Sequence, residues 1–187
     1  MNKKIKRIIL TYPNQRWHKY DLTTTWNLSP YSLCLLAAMI QDKYGVKIID
    51  AQFYNMTIEQ YKNEIINYNP DCVGISLLTS EYCSILDTAA SVVKSINSNI
   101  LTIAGGVHVT TQYCNVMKNK NIDFAIRGEG EYVFRDFLDY INGEKERPKK
   151  GLVYREENDE IVTSFINLDI FGYNINTIGI DTVSFRF

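Results

Sequence analysis

No stretch of this sequence approaches the ~18–20 consecutive apolar residues that a bilayer-crossing helix needs. The N-terminal residues also lack the apolar core and small-residue cleavage site of a signal peptide, so a soluble, cytoplasmic protein is expected. Cysteines are few and unpaired in spacing. Cys34, Cys72, Cys83 and Cys114 form no Cys-x-x-Cys or Cys-x-x-x-Cys-x-x-Cys pattern, which argues against a zinc or iron–sulfur site. They lie within apolar segments and are expected to be core thiols in a reducing compartment. Histidine is scarcer still, with only His18 and His108, and no Ser-His-Asp set or paired-carboxylate spacing supports a hydrolytic mechanism. A basic excess is missing too: the net charge is −1, so no nucleic-acid partner is expected. The basic run Lys3, Lys4, Lys6, Arg7 reads as a solvated lead-in to the first strand.

What is present is a regular alternation. Lys4–Thr11 is a short isoleucine-rich strand stopped by Pro13, and 14–28 is polar and aromatic without steady period, a long loop. Ser29-Pro30 should open a helix, with serine as cap and proline at the first helical position. Its buried face is Leu33, Leu36, Ala37 and Ile40, and Gly45 leads into a strand over Val46–Ala51. A helix over Thr57–Asn67 presents Ile58, Tyr61, Ile65 and Ile66 inward, and Pro70 separates it from a buried strand, Cys72–Leu78. Then come a helix Glu81–Ile96, a strand Ile100–Ala104, a helix Thr111–Lys118, a strand Phe124–Ile126 and a helix Glu131–Asn142.

Short apolar strands alternating with amphipathic helices specify a parallel α/β sheet with right-handed crossovers and helices on both faces. Five strands suit the flavodoxin- or Rossmann-like order 2-1-3-4-5, whose ligands sit at the carboxyl ends of the strands. Residues 1–143 are thus read as one α/β domain. Residues 144–187 comprise a charged linker containing Pro148, a β-hairpin from Gly151–Arg155 and Glu160–Ser164, and a C-terminal extension.

Three clusters fall at the expected ligand edge. Gly105-Gly106 would let backbone or ligand approach closely, or would simply form a tight turn before a helix. Ser76 and Thr79 carry hydroxyls that could donate to a ligand or cap the next helix. Glu129, between Gly128 and Gly130, could accept from a ligand or belong to an acidic first helical turn. A flavin or nucleotide site would want a Ser/Thr-rich loop after the first strand, whereas this loop begins YPNQRWHK. Neither a GxGxxG fingerprint nor a P-loop occurs.

The order of blocks SPYSLCLLAAMIQDKYGVKIIDAQ, PDCVGISLLTSEY, ILTIAGGVHVT, IDFAIRGEGEYVFRDFL and GLVYR resembles the N-terminal cobalamin-binding domain of B12-dependent radical S-adenosylmethionine (SAM) enzymes over about residues 4–165. The resemblance implies a corrinoid over the strand ends, with its nucleotide tail threaded between them. Ser76, Leu78 and Thr79 would then line the tail, Gly105 and Gly106 would let it pass, His108 and Thr110 would sit near the same edge, and Glu129 near the rim. A valine at Gly106 is expected to block the tail while sparing the fold.

The Asp-x-His-x-x-Gly motif of other B12 domains is absent, so base-off cobalamin with no protein histidine on cobalt is expected. The cluster motif of the radical domain is absent as well. The expectation is a cobalamin-binding module, not catalytic alone, that presents the corrinoid to a radical SAM domain or partner. The chain would be either a fragment or a stand-alone module. The alternatives are an interaction or regulatory domain of the same fold that has lost the cofactor, and a flavin- or nucleotide-binding α/β protein.

Overall fold

The computed structural model describes residues 4–18, 29–80 and 83–164, and the backbone of two further two-residue strands. Five strands run parallel: β1 (Arg7–Tyr12), β2 (Gly45–Asp50), β3 (Cys72–Ser76), β4 (Leu101–Gly105) and β5 (Phe124–Ile126). Their order is β2-β1-β3-β4-β5, as the alternation of elements requires. Two antiparallel strands, β6 (Leu152–Arg155) and β7 (Ile161–Thr163), continue the sheet beyond β5, so it has seven strands. The hairpin is therefore hydrogen-bonded into the main sheet, with Phe124 opposite Tyr154 and Ile126 opposite Leu152. The last pair, β8 (Asp169–Ile170) and β9 (Tyr173–Asn174), forms a separate small sheet.

Period-two alternation divides the core. Ile8 and Leu10 point to one face, where they pack with Ile103, Phe134 and Phe137 under helices α1 (Tyr31–Ile40) and α5 (Glu131–Ile141). Ile9, Val73 and Ile75 point to the other, under α2 (Ile58–Tyr68), α3 (Cys83–Ile96) and α4 (Val107–Val116). No helix among the described residues is long and apolar enough to cross a membrane.

Several local expectations are corrected. Helix α1 has Pro30 at its cap position with no side-chain cap, and Ser29 contributes its carbonyl oxygen, not its hydroxyl, to Tyr31 N–H at 2.7 Å. Helix α4 starts at Val107, four residues before Thr111, because Gly106 turns the chain at φ 100° straight into helix. In α2 only Tyr61 and Ile65 are buried, while Ile58 and Ile66 face solvent, since a helix over the sheet margin buries a narrower stripe than its apolar residues span. Of the cysteines only Cys72 is in the core; Cys34, Cys83 and Cys114 are exposed on helices. Residues 19–28, 81–82 and most of the stretch after Ser164 lie outside the described residues, as does the expected start of α3 at Glu81.

At the amino ends of the strands, α5 is tied to β1 and to the turn before β2. Asn142 accepts from Ile5 N–H at 2.8 Å and donates back to Ile5 O at 3.1 Å. Buried Asp139 accepts from Lys43 Nζ at 2.6 Å and from the Tyr44 hydroxyl at 2.9 Å, with Lys145 Nζ at 3.4 Å. Burial pushes the Asp139 carboxyl up, but its bonds to Lys43, Tyr44 and Lys145 outweigh that and hold it below the ordinary carboxylate range. Burial, then Asp139, pushes Tyr44 up to about 12. A carboxylate held down on folding stabilises the fold above its unfolded pKa, and that contribution disappears as pH falls through the folded value. Asp139→Asn is thus expected to lose about 2 kcal/mol at neutral pH, with the gap to wild type closing below about pH 4. Urea unfolding at pH 7 and pH 3 checks this; an equal gap at both would show that the charge contributes nothing.

Candidate functional site

The carboxyl edge of the sheet opens into a cavity of about 410 Å³ on the α1/α5 face. Its floor is Leu10, Gly74, Ile103 and Ile126, and its walls come from Leu33 and Leu36 of α1 and Phe134 of α5. Beside the β3 and β4 ends lie Ser76, Leu78, Gly105, Gly106, Val107 and Thr110, and after β5 come Gly128, Glu129, Gly130 and Glu131. The lining is mostly apolar with a few hydroxyls and two carboxylates, the composition of a pocket for an organic ligand.

Glycine sets the depth of this space. At Gly74 an added Cβ would lie 2.9 Å from Leu10 Cδ2 and 3.7 Å from Phe134 Cζ, so the floor holds its shape because no side chain rises there. At Gly105 an added Cβ would meet no atom of the described residues within 4 Å; that volume is open among them. Gly106 is different. Its φ of 100° belongs to glycine, and a Cβ would sit 2.5 Å from Leu77 O.

Among the described residues, three helices begin at this cavity and none has a side-chain cap: α1 with Pro30, α4 with Gly106, α5 with Gly130 at the cap position. Helix α2, which lines no part of the cavity, has a full capping box in which Thr57 and Gln60 satisfy each other's backbone N–H groups. Tyr31 N–H is held by Ser29 O and His108 N–H by Leu77 O; the other first-turn N–H groups without caps are donors available to a ligand.

Six of the eight residues singled out from sequence meet at the cavity: Ser76, Leu78, Gly105, Gly106, Thr110 and Glu129. Thr79 and His108 do not line it. The Thr79 hydroxyl is buried and has no hydrogen-bond partner among the described residues. His108 is 6% exposed, and its Nδ1 lies 3.0 Å from Ser80 Oγ. Burial holds the His108 imidazole below its ordinary pKa, with Asp87 acting the other way, so the ring is neutral at pH 7. His18 ends a short 3₁₀ turn after β1, its N–H on Gln15 O at 3.1 Å. That turn is docked toward α2: Trp17 Nε1 donates to Met56 O at 2.8 Å, and the indole packs against Tyr61 on the face opposite the cavity.

Gly74, Ser32, Leu33, Leu36 and Phe134 were missed as lining residues. The isolated glycine inside the apolar run CVGIS was a usable signal for close approach. The leucines and Phe134 carried none, because a residue that walls an apolar cavity reads in sequence as core.

The fold and site define a ligand-binding parallel α/β domain. Residues 22–138 match the B12-binding domain family, and the chain belongs to it. An uncharacterized methyltransferase, PH0819, from Pyrococcus horikoshii is 33% identical over 156 residues, covering 82% of this chain and 33% of that protein. The anaerobic magnesium-protoporphyrin IX monomethyl ester cyclase of Rubrivivax gelatinosus is 27% identical over 139 residues, covering 73% of this chain and 24% of the cyclase. The structure of the radical SAM methyltransferase TsrM from Kitasatospora setae, with cobalamin and a [4Fe-4S] cluster bound, shares the fold at TM-score 0.68 and 16% identity, over 86% of this chain and 31% of TsrM. The chain thus spans a third or less of the curated relatives it matches.

Proposed function

We propose that this chain holds a cobalamin, with the nucleotide arm in the cavity between the sheet and α1/α5, and presents the corrin face to a radical SAM domain or partner. The observation that carries the reading is the open volume at Gly105 inside an apolar cavity of a B12-binding family member. A cavity of this size suits a flat heteroaromatic ring and its linker but not a whole corrin, which would rest at the mouth. Ser76 offers a hydroxyl to the arm, and the first turn of α5, with Gly130 at its cap position, offers N–H groups to its phosphodiester. Glu129 at the rim can accept from the corrin's amide side chains. When bound, cobalamin supplies alkyl-transfer chemistry at its cobalt; the residues here bind and orient it.

The bound form is base-off without a protein histidine on cobalt. The His108 ring is committed to Ser80, and the turn ending at His18 is held against Met56 and Tyr61 on the opposite face. The experiment is gel filtration of the protein with hydroxocobalamin. The expected result is a coeluting corrinoid in near-equal amount, read by visible absorption; no retained corrinoid overturns the reading. Electron paramagnetic resonance of the Co(II) form is expected to lack nitrogen superhyperfine splitting. Splitting that vanishes in His18→Ala or His108→Ala would mean that a histidine does ligate.

A further inference from the structure

The first turn of α4 is fastened on both sides to loops that border the cavity, and it is separated from the rest of its helix. Gln112 has non-helical backbone angles (φ −124°, ψ 23°), so residues 107–111 form a turn of their own. Toward β5, the Thr110 hydroxyl donates to Gly106 O and accepts from Gly128 N–H, both at 3.0 Å, while Arg127 Nε donates to Thr110 O at 3.3 Å. Toward β3, His108 N–H donates to Leu77 O at 3.3 Å, and Leu77 N–H donates to Gly105 O at 3.0 Å. The side-chain link on that side is between His108 and Ser80.

The segment this link spans has reason to move. Between the anchored residues 77 and 80 lie Leu78, which lines the cavity, and Thr79, whose buried hydroxyl has no partner among the described residues. Water would satisfy that hydroxyl if the segment lifted, so desolvation pushes it outward and the flanking bonds must hold it in. A neutral imidazole suits the task. One ring nitrogen faces the serine hydroxyl, and burial of the ring fixes its direction.

We infer that His108 is a positioning residue: it latches Ser80, and through it the 77–80 segment, onto the first turn of α4, and so holds Leu78 at the cavity wall and Thr79 buried behind it. The inference rests on the cobalamin reading for its effect on affinity but not for the latch itself.

The test uses hydroxocobalamin affinity together with amide exchange of residues 78–80 in the cobalamin-free protein. Ser80→Ala and His108→Leu should each weaken binding about tenfold, and the double variant should be no worse than His108→Leu alone. His108→Asn, whose side-chain amide can occupy the place of Nδ1, should bind within about twofold of wild type. Exchange at 78–80 should quicken in Ser80→Ala while the thermal midpoint stays at the wild-type value. Ser80 is exposed, so its variant remains informative if His108→Leu fails to fold. Wild-type affinity together with wild-type exchange in Ser80→Ala would overturn the latch, as would additive losses in the double variant. A wild-type protein that binds no cobalamin would remove the functional reading, and the exchange measurement would still decide the latch.

Discussion

A Gly105→Leu variant should keep the wild-type circular dichroism and melting temperature and lose about 100-fold or more in hydroxocobalamin affinity, some 3 kcal/mol. Gly105 ends β4 in an ordinary strand conformation, not at positive φ, so a side chain imposes no backbone strain. A Cβ built there meets no described atom within 4 Å, and the residue lines the cavity. The leucine would therefore extend into the open volume and bury apolar surface, a change neutral or favourable for folding. The same volume would be denied to the nucleotide arm. Equilibrium dialysis showing equal affinities would take Gly105, and with it this part of the cavity, out of the site.

Gly106→Val should behave in the opposite way, unfolding at lower temperature and lower denaturant. Its φ of 100° is a region that L-residues rarely adopt, and the new Cβ would stand 2.5 Å from Leu77 O and 3.0 Å from Ser76 Oγ. The close neighbour is a backbone oxygen held in the β3–α3 connection, not a flexible side-chain tip, so the backbone itself must shift. A loss of about 3 kcal/mol or more is expected. Sequence reasoning points to Gly106 as the residue whose branched replacement blocks the ligand with the fold intact; on the proposed reading Gly105, where an added Cβ meets no described atom, is the residue expected to do so. A Gly106→Val protein with wild-type stability in urea would show that the connection yields where the structure has it fixed.

The two glycines illustrate what could be read without coordinates. That a ligand edge lay after β4 followed from the pair Gly105-Gly106 at the end of a buried strand, because parallel sheets place ligands there. Which glycine faces open space and which touches backbone depends on φ and on Leu77, a residue distant in sequence. The strand order was legible because each strand is a short apolar run between turn residues. The start of α4 was not, since the usual signal is a capping side chain and Gly106 has none. Ile58 and Ile66 were assigned to the core because periodicity reports an apolar arc, while the depth of burial depends on what lies over it. The resemblance implies His108 near the ligand edge; the residue does not line the cavity, and its orientation depends on Ser80, 28 residues earlier.

The uncapped starts of α1, α4 and α5 have a consequence for the life of the protein. A glycine at the cap, as at Gly106 and Gly130, forgoes about 0.3 kcal/mol relative to a serine or aspartate. An empty domain is therefore less resistant to opening at the edge where its ligand would enter. On the proposed reading, cobalamin binding would supply partners for some of these N–H groups, and mass action would add stability in proportion to the logarithm of its concentration over Kd. Cofactor supply would then govern turnover as well as occupancy. Chains made when the vitamin is scarce would open more often and be degraded sooner, and the pool of binding domains would follow the pool of corrinoid without a dedicated sensor.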